Sequence, residues 1–393
     1  MFAKQSNLRL VVKSTGHDFL QSTGGWVQGG GHSPVTRYYG IGADQVLSAR
    51  VVLASGEIVT ASPCQHKDLF YAIRGGGGGT FGVVTEMTVK TYPTGKVAVA
   101  NVVIGSQGDD GVSDFLDAVT TVYASYPALS QLGFAGYGMW LAYSRPGLVA
   151  ANYTNVLQQS FTMLHRSEGQ ARTLFLPFEE DILRFNDTQK STHVAITWQA
   201  YPDYGSYFDS KTDSEARVGG VSAMSSRLLD TKALAGNATW LRQAMDIMAG
   251  SPGSPVFHTI VHHGLEASTI GSEHHIASAV QPGWYNSIIL DIFEKSMNGS
   301  QVDDNIEAFT DLRDIIAPLY RMAAPTTGTY MNEADWGDTN WRQDFYGAHW
   351  QRLSEIKARY DPGGILYCPT CVGSDHWQED EGRALCRVTS PQS

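Results

Sequence analysis

Arg74-Gly75-Gly76-Gly77-Gly78-Gly79-Thr80-Phe81-Gly82-Val83 sets five consecutive glycines between a segment of helical spacing and a β-branched one. Each glycine loses more backbone entropy on folding than alanine would, so such a run does not serve local stability. It suits a chain that must pass flat against something large, with N–H groups free to bind an anion. Upstream, Lys67–Arg74 carries Leu69, Phe70 and Ile73 at helical spacing and stops at Gly75, as a helix end should. Downstream, Gly82–Tyr92 reads as a strand through Val83, Val84, Met87 and Val89, closed by Pro93. Ordered elements on both sides argue against a flexible linker.

Two further glycine-rich places precede this one. Thr15-Gly16-His17-Asp18-Phe19 follows a strand-like Leu8–Lys13, and Gly29-Gly30-Gly31-His32-Ser33 lies within a loop running from Gly24 to Gly42. Val46–Ala54 and Glu57–Ala61, parted by Ser55-Gly56, read as a hairpin. No Gly-Lys-Ser/Thr follows the glycines, which excludes a P-loop. The glycines also precede a strand and not a helix, so a Rossmann fingerprint fits poorly.

From about residue 96 the texture changes. Helices are expected at Val112–Tyr126, Val149–Leu164, Thr239–Met248 and Asp303–Met322. Strands are expected at Leu132–Leu141, Val194–Tyr201, Val256–His263 and Ser287–Phe293. The pattern predicts an α+β fold, an antiparallel sheet with helices on one face. A helix near Trp341–Tyr360, ended by Asp361-Pro-Gly-Gly364, follows Thr329–Asp335. Three parts result: 1–95, 96–325 and 326–393.

The 393 residues are 42% hydrophobic and 17% charged, the profile of a folded globular protein. A net charge of −11 with no Lys/Arg cluster would repel nucleic acid, so no nucleic-acid partner is expected. No run of about 18 apolar residues is present, so no membrane-spanning segment is expected. Four Asn-X-Ser/Thr sequons, at Asn152, Asn186, Asn237 and Asn298, are a slight excess over chance. They suggest a glycoprotein of secretory ancestry, although no signal peptide precedes the first strand. Of Cys64, Cys368, Cys371 and Cys386, the Cys368-Pro-Thr-Cys371 pair has neither a second C-x-x-C for zinc nor a βαβ context for a thioredoxin-like site. Disulfides are expected, with the pairing open.

The glycine places also carry a resemblance. Val11-Val-Lys-Ser-Thr-Gly16-His17-Asp-Phe-Leu resembles the pyrophosphate loop of berberine-bridge-enzyme-like oxidases of the vanillyl-alcohol-oxidase group. Trp26-Val-Gln-Gly-Gly-Gly-His32-Ser, Tyr39-Gly-Ile-Gly-Ala-Asp44, Asp68–Gly77 and Phe81-Gly-Val-Val-Thr85 continue the match in order. Tyr330-Met-Asn332-Glu-Ala-Asp335, Phe345–Leu353 and Leu366–Cys371 resemble that family's C-terminal module. The resemblance implies a PCMH-type FAD-binding domain over 1–95, a substrate domain over 96–325 and a returning segment over 326–393. It implies FAD, covalently linked through His17; the position of a second, cysteinyl link is Gly24. Gly16, Gly30, Gly31, His32, Gly75, Gly76, Gly77, Gly78 and Val84 would line the cofactor, with Tyr330 and Asn332 approaching from the C-terminal segment. The chain departs from the family in two places. Segments before the histidine loop and between the two glycine loops are missing, for Gln21-Ser-Thr-Gly24 runs directly into Gly25-Trp-Val. FAD affinity is the property this touches most.

For a proton acceptor, His258 and His262 share one face of a strand and His263 points the other way. Tyr330, Glu333 and Asp335 are further catalytic candidates, although exposed loop carboxylates such as the last two are commonly just solvated. A metal cluster of His258, His262, His274 and His275 is disfavoured, because strand spacing holds two ligands far apart. The resemblance, which is to fungal relatives, implies FAD-dependent oxidation of an alcohol or amine carbon of a small metabolite, with O2 as final acceptor, in secondary metabolism. The alternative is an inactive, shortened relative acting as a scaffold or binding protein.

Overall fold

Val46-Leu-Ser-Ala-Arg-Val-Val52 buries Val46, Ala49 and Val51 and exposes Leu47 and Arg50, with register shifts between Val46 and Ser48 and between Arg50 and Val51. In the computed structural model, which describes residues 12, 24–144, 153–186, 191–211, 222–268, 277–297, 302–380 and 384–388, it forms β1. Antiparallel partners flank it, β2 at Ile58–Ala61 and β3 at Val83–Val89. The β1–β2 turn closes through Leu53 N–H to Glu57 O and Gly56 N–H to Leu53 O, both 2.8 Å, with Gly56 at φ +88°. Helix α1, Lys67–Ala72, follows the hairpin. Val51, Val59, Leu69, Phe70 and Phe81 then share a core with Phe345, Leu353 and Ile356. The C-terminal segment therefore completes the core of the glycine-rich part.

Seven antiparallel strands form the larger sheet: β4 Val97–Ser106, β5 Gly136–Leu141, β6 Asn155–Leu164, β7 Thr192–Tyr201, β8 Ser222–Leu229, β9 Phe257–His262 and β10 Ile289–Ser296. Their order is β7-β4-β6-β5-β9-β10-β8. Helices α2 Val112–Leu132, α3 Glu168–Leu183 and α4 Ala238–Met248 lie on one face. Helix α5 Val302–Thr310 joins them through a π-turn at Asp311–Ile316 into α6 Ala317–Ala323. Their ends follow from local chemistry. Gly133 at φ +104° ends α2, Ser167 and Gln170 form a capping box on α3, and the Asn237 side chain caps α4. Along β4, Ala98, Ala100, Val102 and Ile104 face the helices while Val97 and Val99 face away. Each fully buried large side chain of that core, such as Trp140 or Phe161, contributes about 1.5–3 kcal/mol.

The α+β architecture, with an antiparallel sheet and one-sided helices, matches the expectation. The helix expected over Val149–Leu164 does not: its described part is strand β6, between β4 and β5. Gln158, Gln159 and Ser160 sit mid-strand on both faces, so the alternation of apolar and polar residues that marks a strand is broken. Leu157, Phe161 and Leu164 then imitate helical spacing by chance. The C-terminal helix is also shorter, α7 at Trp350–Tyr360, because Gly347 at φ +54° separates it from a π-turn at Arg342–Tyr346. Sequence periodicity missed β4, β8 and α3. Cys368 and Cys371 form a disulfide, while Cys64 and Cys386 are free and exposed. Leu8–Lys13, apart from Val12, lies outside the described residues, as do His274 and His275.

Candidate functional site

The sheet face away from the helices packs on the second glycine place. Ile41 and Ala43 share a cluster with Leu228, Val261, Trp284, Leu290, Ile292 and Tyr330. A helical turn, Gly25–Gly29, delivers Gly30 at φ +143° and Gly31 at φ +89°. A Cβ on Gly31 would sit 2.9 Å from the Trp26 ring, and the backbone angle already favours glycine there. Gly42 N–H donates to Gly31 O at 2.7 Å and Ala43 N–H to Gly30 O at 2.8 Å, fixing the loop. Asn332 Nδ2 donates to Gly25 O at 2.9 Å and to Tyr330 Oη at 2.7 Å, and Tyr330 Oη donates to Trp26 O at 3.2 Å. Burial pushes the Tyr330 hydroxyl far above its usual range.

Around this loop gather side chains from four parts of the chain. The His32 ring stacks 6.1 Å from Trp284 and meets Tyr137 and Tyr330 edge-on at 5.6 and 5.4 Å. Its Nδ1 is 2.9 Å from Tyr137 Oη and its Nε2 is 3.2 Å from Glu333 Oε2. Trp284 Nε1 is buried without a hydrogen-bond partner among the described residues, 3.6 Å from where a Cβ on Gly30 would lie. The structure thus brings together Gly30, Gly31, His32, Tyr330 and Asn332. It adds Tyr137 and Trp284, which sequence reading missed. Gly136-Tyr137-Gly138, a lone aromatic between glycines in a strand, was the signal available for one of them.

The five-glycine run behaves differently. Gly75 and Gly77 N–H both donate to Gln28 O, at 2.9 and 3.0 Å, and Gly76 N–H donates to Ala72 O at 2.9 Å. Those three donors, expected to face an anion, are satisfied inside the protein. Gly78 is half-buried, and Val84 packs at the margin of the smaller core. A Cβ on Gly79 would fall 2.8 Å from the Val12 side chain. Thr80 Oγ1 is a second buried atom without a partner among the described residues. Gly16 and His17 lie outside the described residues.

His258 and His262 do share a strand face, but it is the helix face. His258 Nδ1 lies 3.0 Å from Asp291 Oδ1, its ring stacks on Trp140 at 4.1 Å, and Asp291 also accepts from Tyr123 and Tyr320. His262 Nε2 lies 2.7 Å from Ser130 Oγ beneath Tyr126 and Phe161. Both are fully buried on the side of the sheet opposite the glycine loop, which does not fit a base acting there. His263 points the other way, toward Trp284, and is also fully buried.

Desolvation, then the nearby Arg37 charge, push the His262 imidazole down to about 3. An unfolded histidine titrates near 6.5. Below that pH the unfolded chain takes up a proton that the folded chain refuses. The stability from His262 is complete above about pH 6.5 and falls by about 1.4 kcal/mol per pH unit toward pH 3. Urea midpoints measured from pH 7 to pH 4 should fall accordingly, and His262→Leu should remove its share of the slope. A slope unchanged in that variant would contradict a neutral buried ring.

FAD is the cofactor of the family that this chain resembles, and the described residues fit its ring end. Gly30 and Gly31 pack against the chain's own Tyr330, Trp284 and Trp26 rings, and the unpaired Trp284 Nε1 beside them is a spare donor. Among the described residues no three His, Cys, Asp or Glu side chains gather as metal ligands, and no helix is long and apolar enough to cross a membrane.

Comparison with known proteins agrees with this geometry. The family "FAD binding domain" matches residues 2–62, and "Berberine and berberine like" matches residues 329–372. The FAD-linked oxidoreductase apf9 of Gibberella fujikuroi is 55% identical over 368 residues, 93% of this chain and 62% of its own length. The FAD-linked oxidoreductase hmp9 of Hypomyces subiculosus is 33% identical over 96% of this chain and 60% of its own. The crystal structure of the VAO-type flavoprotein MtVAO713 from Myceliophthora thermophila superposes with a TM-score of 0.86 at 30% identity, covering 98% of this chain and 66% of that one. The chain therefore spans about three fifths of the length of the curated relatives it matches. Its two ends match the FAD-binding and berberine-like family models, and along its length it is similar to FAD-linked oxidoreductases and VAO-type flavoproteins.

Proposed function

We propose that this chain forms the substrate-facing part of an oxidase that takes a hydride from an alcohol or amine carbon of a small organic metabolite, with O2 as final acceptor. The observation that carries the reading is the convergence of Gly30–His32, Tyr137, Trp284 and Tyr330–Glu333 on one sheet face. Bound flavin supplies the two-electron acceptor. Gly30, Gly31, Trp284 and Asn332 would hold its ring end, and His17 would tether it. On β10, Glu294 follows Leu290 and Ile292 on the same face, and burial followed by the charge of Glu333 raises its carboxyl. Such a surface disfavours anionic substrates and suits a hydroxyl or a protonated amine. A tailoring step in fungal secondary metabolism is consistent with that chemistry. Passage through a secretory pathway belongs to the same reading, supported by the exposed sequon asparagine Asn237 and the Cys368–Cys371 disulfide.

A second reading, a non-catalytic scaffold, is favoured by one observation: the N–H groups of Gly75, Gly76 and Gly77 are already engaged within the protein. Purification with excess FAD separates the two. The oxidase reading expects a yellow protein whose colour stays with the acid-precipitated chain and is released from His17→Ala. A folded, colourless wild-type protein under the same conditions favours the scaffold.

A further inference from the structure

We propose that Glu333, His32 and Tyr137 form a proton-accepting array in which Tyr137 takes the substrate proton and His32 stores it beside the Glu333 carboxylate. The proposal deepens the oxidase reading and rests on it. Three chain segments more than 100 residues apart contribute: the second glycine loop, strand β5 and the C-terminal segment. The His32 ring is only 11% exposed and Glu333 28%, so this pair is shielded well beyond an ordinary surface contact.

The hydrogen bonds are complete with the imidazole neutral or charged. A carboxylate only accepts, so Nε2 carries a hydrogen toward Glu333 in both states. In the neutral ring Nδ1 is an acceptor, and Tyr137 Oη donates to it across 2.9 Å. In the charged ring Nδ1–H donates to Tyr137 Oη, and that hydroxyl turns to the His32 carbonyl, 3.2 Å away. No polar atom is orphaned by the change, which needs only the rotation of one hydroxyl. Burial, with the neighbouring Tyr204 and Glu333 next, holds the Tyr137 hydroxyl well above its usual range, so it does not rest as an anion. It can accept a proton only by passing its own to His32. A substrate O–H or N–H against Tyr137 gives its proton to the phenolic oxygen while the phenolic proton crosses to Nδ1. The substrate heteroatom keeps the electron pair, and the new imidazolium charge faces Glu333.

The test needs no cofactor for its first arm. Two-bond 1H–15N spectra of histidine-labelled full chain should show neutral His32 as the Nε2–H tautomer. In Glu333→Leu the tautomer preference should be lost, and in Tyr137→Phe the Nδ1 resonance should move. A wild-type Nδ1–H tautomer, or signals unmoved in both variants, overturns the array. In the second arm, oxygen uptake on a panel of alcohols and amines should give Tyr137→Phe a kcat lower by about 10²–10⁴-fold with KM retained. A yellow Tyr137→Phe protein turning over at the wild-type rate also overturns the array. A colourless wild-type protein with the Nε2–H tautomer sinks the oxidase reading and leaves the hydrogen-bonded triad standing.

Discussion

Gly75→Ala is expected to destabilise the protein by about 3–5 kcal/mol, the strain of a left-handed alanine added to overpacking of a closed site. Gly75 sits at φ +113°, and its Cβ would fall 2.2 Å from Val280 N, 2.4 Å from Val280 Cα and 2.6 Å from Ala279 C. Those are backbone atoms, and they cannot swing aside as the end of a side chain can. Ala279 N–H donates to Arg74 O at 2.8 Å, so moving the 279–280 strap breaks the contact that places it. Gly169, in the first turn of α3 with nothing within 4 Å, is the control: Gly169→Ala should stabilise by about 0.4–1 kcal/mol through the unfolded chain's entropy. Urea unfolding of the two variants without added FAD decides the matter. A Gly75→Ala protein within 1 kcal/mol of wild type would mean that the strap yields, and that the glycines are held for a ligand instead.

That expectation shows where the sequence was legible and where it was not. Five glycines between a helix and a strand announce a close approach, and the close approach is there. What approaches is partly the chain's own 279–280 backbone, some 200 residues away, and composition carries no trace of that pairing. The same limit governs the histidines of β9. Period two fixes that His258 and His262 share a face and that His263 does not. Which face meets the helices depends on α2, α4 and α6 packing there, information held in other segments. In the C-terminal motif Tyr330-Met-Asn332-Glu333, Tyr330 and Asn332 hydrogen-bond to the Trp26 and Gly25 carbonyls. Its Glu333 looked like a solvated loop carboxylate because its partner, His32, lies 301 residues earlier. Strand β6 was misread because Gln158-Gln159-Ser160 interrupts the alternation that marks a strand while Leu157, Phe161 and Leu164 fall at helical spacing.

The return of that C-terminal segment depends on buried charge, which makes Arg227→Met the second large effect. Arg227, on β8, donates from Nη1 to Asp344 Oδ1 at 2.7 Å and from Nη2 to Ala324 O at 2.7 Å. The other Asp344 oxygen accepts from Arg321 Nε at 2.8 Å, and Arg321 continues to Asp338 at 2.6 Å. Arg227 and Asp344 are both buried. Removing the guanidinium leaves a carboxylate out of water with half its compensation, and a broken buried pair costs about 3–5 kcal/mol. Arg321 keeps the loss at the lower end, about 3 kcal/mol. The damage reaches the site through the backbone: Asp344 O accepts from Thr329 N–H at 2.8 Å, and Thr329 Oγ1 donates to Ser226 O at 2.8 Å. Tyr330, Asn332 and Glu333 hang from that anchor. Replacing both partners, Arg227→Met with Asp344→Leu, removes the stranded charge along with its partner. The double variant should therefore recover part of the loss, with a coupling energy above about 1 kcal/mol between contacting residues. A double-mutant cycle in urea that returned a coupling within about 0.5 kcal/mol of zero would place the two side chains in separate environments. The C-terminal segment would then owe its anchoring to its core packing and its backbone pairing to β8, not to this ion pair.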